Sequence, residues 1–247
     1  GLDYEAIFLQ RWQQFLLTTV LTDQSIANNP LFQQVKSLLQ ESKQLFASTD
    51  SVSYRIVRNF RINTRDRVFS QFSQHFKRID KQFNFRSLRH QIEVPLWQLI
   101  NKQPNNDSLL GKPSWQLLFT NALNDTLNDM TNQQPLADAS WGQQNTALIK
   151  HPLSSALPFL THWLDMPNTQ LSGDSYMPKV QGTSFGASQR MIVSPGHEEE
   201  GIFHMPTSQA SHPWSPYYGL GHSDWEQGIA SAFLPGKTEY SLTLTSY

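Results

Sequence analysis

The 247-residue chain contains no cysteine. Disulfides, thiolate metal sites and a cysteine nucleophile are thereby excluded, and the redox compartment stays open. Charge is scarce too: Asp, Glu, Lys and Arg make up 16% of the residues and the net charge is −1, so the polar surface must come from other side chains. No apolar run approaches the roughly 18–20 residues of a membrane-spanning helix, and no secretory leader pattern opens the sequence. Aromatics are plentiful, with 15 Phe, 7 Trp and 7 Tyr in a chain that is 38% hydrophobic. That excludes a disordered polymer, and the length allows one large domain or two small ones with a sizeable core. The missing polarity is supplied by 24 Gln and 14 Asn.

The first two thirds carries helical periodicity. Phe8, Trp12, Phe15, Leu16 and Val20 recur at steps of three and four, and Gln10, Arg11, Gln13 and Gln14 form the uncharged opposite face of a helix expected over 2–21. A second helix, 31–46, follows the Asn28-Asn29-Pro30 breaker. A third, 51–79, aligns Val52, Ile56, Phe60, Phe69, Phe72, Phe76 and Ile79. In a fourth, 85–100, Pro95 predicts a break near Val94. Trp115, Leu118, Phe119, Ala122, Leu123, Leu127 and Met130 give the cleanest pattern, starting after Lys112-Pro113-Ser114. Beyond residue 131 the texture changes: 10 of the 12 glycines and most of the prolines lie there, between short apolar runs. Strands are expected at 190–193, 202–205 and 240–245, the last alternating Tyr240, Leu242 and Leu244 with Ser and Thr. A short helix at 154–164 carries Leu157, Leu160 and Trp163. Trp12, Trp97, Trp115 and Trp163 are read as core. The fold class is α+β, with a helical region over 1–140 and a mainly antiparallel β segment over 141–247.

Eleven Lys and Arg against three acidic residues fall between Tyr54 and Lys102. The phenylalanines there sit at core spacing and do not interleave with the basic face, so a solvated or partner-contacting surface is favoured over nucleic-acid binding. Gly182-Thr183-Ser184-Phe185-Gly186 matches the nucleophile elbow of serine hydrolases, with Glu198, Glu199 or Glu200 and His204 following in hydrolase order. The elbow needs a strand before Ser184 and a helix after it. The residues after Ser184 read as strand and turn, so a glycine-bounded turn is the simpler reading. His197, His204, His212 and His222 are spaced unlike the usual short metal-ligand pairs, and 198–200 reads as a solvated hairpin tip.

The C-terminal third resembles a known family. The residues that carry the likeness are Trp141-Gly142, Asn145, His151-Pro152-Leu153, Gly173-Asp174 and the run Ser184-Phe185-Gly186-Ala187-Ser188-Gln189-Arg190-Met191-Ile192-Val193. Met205-Pro206-Thr207-Ser208-Gln209-Ala210-Ser211-His212-Pro213, Ser215-Pro216-Tyr217-Tyr218, Trp225 and Gly228 follow in the same order. Together they resemble the end of the β chain of the penicillin acylase family of N-terminal-nucleophile amidases, over about residues 141–235. Two departures stand out. Thr207 to Ser211 lacks the two glycines usual there, and Gln189 and Arg190 stand where some relatives place an acidic residue.

The resemblance implies strands of an αββα core and, for the intact protein, hydrolysis of a linear acyl amide by an N-terminal Ser whose own α-amine is the base. It implies the β-lactam side-chain or acyl-homoserine-lactone class of substrate and a periplasmic or secreted location. Gly1 cannot act as that nucleophile. The chain is therefore expected to be a C-terminal fragment, inactive alone, with no catalytic, cofactor or metal residue of its own. Calcium ligands, where the intact enzyme has them, lie upstream. The implied partners are the upstream part of the β chain, the α chain and an acyl-amide substrate, with neither nucleic acid nor membrane, and open strand edges would favour a homo-oligomer of the fragment. A serine hydrolase using Ser184 and a helical interaction module with a basic face are the rival readings.

Overall fold

A computed structural model of the chain describes residues 4–23, 28–83, 88, 91–104, 114–183, 185–207 and 209–245. The chain divides into two units, Gly1–Gln144 and Asn145–Tyr247.

In the first unit, side-chain caps fix where helices begin. Asn29 accepts hydrogen bonds from the Leu31 and Phe32 amides at the start of α2 (Pro30–Glu41). Ser51 accepts from Tyr54 at the start of α3 (Val52–Ile79), and Ser114 from Leu117 at the start of α5 (Trp115–Thr131). Each cap satisfies amides that the first turn leaves unpaired. The first helix, α1 (Tyr4–Phe15), continues as one wider π turn over Leu16–Val20. Trp12, Phe60, Phe119, Leu16 and Leu123 are wholly buried. Trp12 meets Phe60 and Trp97 edge-on at 6.0 and 5.2 Å, and Phe15 meets Phe119 at 5.0 Å. The helical face expected around Leu123 is the face that is buried, with Thr126 added to it; Thr126 accepts from Asn63 Nδ2 of α3 at 2.9 Å and donates to the Ala122 carbonyl.

Polar side chains join these helices at chosen points. Glu93, in the first turn of α4 (Glu93–Lys102), accepts from the Trp12 indole at 3.1 Å and from Arg61 Nη2 at 2.8 Å. Gln13, expected on the polar face of α1, is buried and donates to the Leu39 and Ser42 carbonyls. Trp141 and Gly142, in α6 (Trp141–Gln144), close the unit: their amides bond to Ser51 and Thr49, and the Trp141 ring packs on Tyr54 at 5.3 Å.

The second unit has shorter elements: α7 (Pro152–Ala156), α8 (Thr161–Leu164), and the two-residue strands β1 (Gln181–Gly182) and β2 (Phe185–Gly186). They are followed by β3 (Arg190–Ser194), β4 (His197–His204) and α9 (His222–Gln227). β1 pairs antiparallel with β2. β3 pairs antiparallel with β4, with Arg190 opposite His204 and a bulge between Ile192 and Ser194. Residues 231–233 run along the other side of β4, through Phe203 N–H to Ser231 and Phe233 N–H to Gly201. The result is an α+β chain with a helical first region and a small antiparallel β portion.

Several expectations are corrected. Pro95 does not kink a longer helix but lies in the first turn of α4, where its missing N–H costs nothing; of the earlier part of that expected helix, residues 85–87 and 89–90 lie outside the described ones. Helix α2 ends at Glu41, five residues early. Phe76 and Ile79 are exposed, because the last turns of α3 run past the helices that bury Phe60 and Phe69. The 154–164 helix is broken at Leu157 and Pro158, which turns Leu164 inward and leaves Trp163 exposed. Residues 240–245 form no strand: Tyr240, Leu242 and Leu244 are 91%, 86% and 86% exposed, since alternation makes a strand only where another strand accepts its ladder. The hairpin tip is at Pro195 and Gly196, so 198–200 lies on β4 itself.

Candidate functional site

In the second unit several family-like residues, Gly186, Ala187 and Arg190 among them, meet Trp225. Its indole N–H donates to the Ala187 carbonyl at 3.0 Å, and its ring packs with Ala147 and Leu171. Gly186 faces it so closely that an added Cβ would lie 2.4 Å from the ring. Arg190, from β3, places its guanidinium 5.8 Å from the ring centroid and donates from Nη1 to the Trp225 carbonyl at 2.9 Å. Lys179 donates to the Glu226 carbonyl at 3.2 Å and to Ser172 Oγ at 3.1 Å. Two cations thus meet the last carbonyls of α9, the end of a helix that carries partial negative charge. Burial lowers the pKa of Lys179, assisted by Arg190 and opposed by Glu226; burial alone lowers that of Arg190.

The neighbouring loop is held by the same means. Buried Asn145 donates from Nδ2 to the Leu171 and Gly173 carbonyls, at 2.7 and 3.1 Å. Gly173 has φ +99°, and a Cβ there would sit 2.2 Å from the Lys179 carbonyl oxygen, so both its conformation and its space require glycine. Buried Asp174 accepts from the Ser175 amide. Also on α9, His222 stacks on Trp225, with Nδ1 2.6 Å from the Pro206 carbonyl and Nε2 3.0 Å from Glu226 Oε1. The His222 to Glu226 spacing of four on a helix was the available signal for this pair. Lys179 stood in no motif.

Among the described residues, the acid and base of the elbow reading are not brought together. Ser184 lies outside the described residues. Its neighbours Gly182 and Phe185 face each other across a tight antiparallel pair, and a strand follows rather than a helix. His204 directs Nε2 at the Ile229 carbonyl. Glu200 is four residues away on the same strand, about 13 Å at strand rise. His197, Glu199 and Glu200 bring their ligand atoms within 4.8 Å of one another, all exposed. One imidazole and two carboxylates suit a first-row transition ion better than calcium, which takes oxygen alone. Glu198 is turned back onto the Gly196 amide, which holds its pKa below the usual value.

Five arginines of α3 are engaged within the first unit. Arg61 pairs with Glu93, Arg67 Nε with Asp125 at 2.7 Å, and Arg65 with Asp66. Arg55 donates to the Ser140 carbonyl, and Arg58 lies over Trp141 at 4.7 Å. No described helix is long and apolar enough to cross a membrane.

Residues 8–234 match the family model described as penicillin amidase. No curated protein matches the chain.

Proposed function

The chain belongs to the penicillin amidase family, and from that premise we propose that it is the C-terminal part of the β chain of an amidohydrolase that cleaves linear acyl amides. One observation carries this reading. Asn145, Arg190 and Trp225, which the family resemblance names, each donate to main-chain carbonyls, which supports reading them as residues that hold backbone in place. The order of the family-like residues from Trp141 to Gly228 supports the same placement.

In the reaction so proposed, the hydroxyl of an N-terminal Ser attacks the amide carbon. Its own α-amine, with a pKa of about 8 in free peptides, takes the hydroxyl proton and passes it to the departing amine. Water then cleaves the acyl ester and releases the carboxylic acid. A backbone N–H and an Asn side chain upstream hold the oxyanion, and calcium, where present, binds upstream. The rest of the β chain and the α chain are the partners, the periplasm or the exterior is the location, and β-lactam side chains or acyl-homoserine lactones are the substrate class.

The test is turnover of phenylacetyl and long-chain acyl amides by the 247-residue chain, alone and mixed with the upstream β segment and α chain. No turnover alone and recovery on mixing is the expected result. Turnover by the chain alone would place the nucleophile within it and overturn the proposal.

A further inference from the structure

His222 is 5% exposed, and both ring nitrogens face oxygens. Nδ1 lies 2.6 Å from the Pro206 carbonyl oxygen, an atom that only accepts. Nε2 lies 3.0 Å from Glu226 Oε1, and neither of these two buried atoms has another hydrogen-bond partner. A neutral ring has one N–H. Given to Pro206, it leaves a lone pair facing a carboxylate; given to Glu226, it leaves a lone pair facing a carbonyl. Either arrangement buries two acceptors against each other, which is costly at a ring that is 5% exposed.

We infer that His222 and Glu226 bind one proton between them and that this proton fastens the segment after Pro206 to α9. The neighbouring charges decide where it resides. Lys179, from the loop before β1, donates to the Glu226 carbonyl, and its charge bears on the Glu226 carboxyl group. Arg190, from β3, bears on Lys179 and caps the adjacent carbonyl. Lys179 favours an ionised Glu226, so the proton is assigned to the imidazole. On α9 the remaining acid is Asp224, in its first turn. The segment after Pro206 contributes His212, which is exposed and accepts from the Trp214 amide, and the tyrosines Tyr217 and Tyr218. The clasp is closed while the imidazolium persists.

The test uses the labelled 247-residue chain and follows histidine ring nitrogens by NMR at neutral pH. His222 is expected to show two protonated ring nitrogens. Glu226→Gln, which keeps the shape and removes the charge, should leave its ring with one, and amide exchange in 209–221 at the same pH should rise roughly tenfold. A neutral ring at neutral pH in the unaltered chain would overturn the inference, as would a doubly protonated ring that persists in Glu226→Gln. The first of these readings needs no variant, so it decides even where Glu226→Gln does not fold.

Discussion

The two units bury different things. The first buries large apolar side chains from five helices, Trp12, Tyr54, Phe60, Phe119 and Leu96 among them, and its polar contacts supplement a core that already exists. The second gathers Ala147, Leu171 and Ile149 on one Trp225 and leaves Phe159, Trp163, Trp214, Tyr240 and Leu242 facing solvent. Its shape rests on side chains that donate to backbone. A unit held by apolar area tolerates the loss of any one hydrogen bond, whereas a unit held by directed contacts around a single ring depends on each of them.

Mutations can break or sharpen this contrast. Leu123→Asp would place a carboxylate on the wholly buried face of α5; a loss of roughly 4–5 kcal/mol is expected, read as collapse of the helical circular-dichroism signal. A melt within a degree or two of the parent would show that face to be exposed. Trp225→Ala should cost about 3–5 kcal/mol, read as rapid proteolysis within 145–234 while 30–79 stays protected. Gly186→Ala drives a methyl into the same ring and should cost roughly 1–3 kcal/mol; an unchanged melting curve would mean that Trp225 moves freely. Asn29→Ala removes only a helix cap, and about 1 kcal/mol is expected from chemical denaturation.

The smallest effect concerns acid. The Asp165 carboxyl group is held below its ordinary pKa by the Ser154 hydroxyl and by the His151 amide, which donates at 2.8 Å. A carboxylate favoured in the folded state stabilises above its unfolded value and ceases to do so as pH falls through its folded one. Asp165→Asn should therefore flatten the acid dependence of amide exchange in 151–165 below about pH 4. An unchanged profile would assign that dependence to another group.

Legibility in the sequence follows the same division. Helix periodicity located α3 and α5 almost to the residue, because each buries one stripe against its own unit. It overran at Phe76 and Ile79, where the stripe continues and the neighbours end. Alternation at 240–245 misled for a related reason: period two describes a side-chain pattern, while a strand also needs a ladder to join. Around Trp225 the resemblance named Asn145, Gly173, Gly186, Arg190 and Trp225 but not their roles. Their bonds go to carbonyls distant in sequence, and a carbonyl carries no residue-specific signal. Lys179 and the His222–Glu226 pair escaped for want of a motif, although a spacing of four on a helix was there to be read.

The two cations on α9 also bear on when this helix can form. Six residues make less than two turns, far too short to persist alone in water. Its last carbonyls are met by Arg190 and Lys179, 35 and 47 residues earlier, and its indole by Ala187, 38 residues earlier. Closure of these long loops must precede the helix, which makes α9 a late and slow element of folding. During synthesis the order is favourable: its three anchors have left the ribosome by the time Trp225 emerges. A chain permuted so that α9 came first would expose Trp225 until its anchors arrived, and should refold more slowly and aggregate more readily than the natural order.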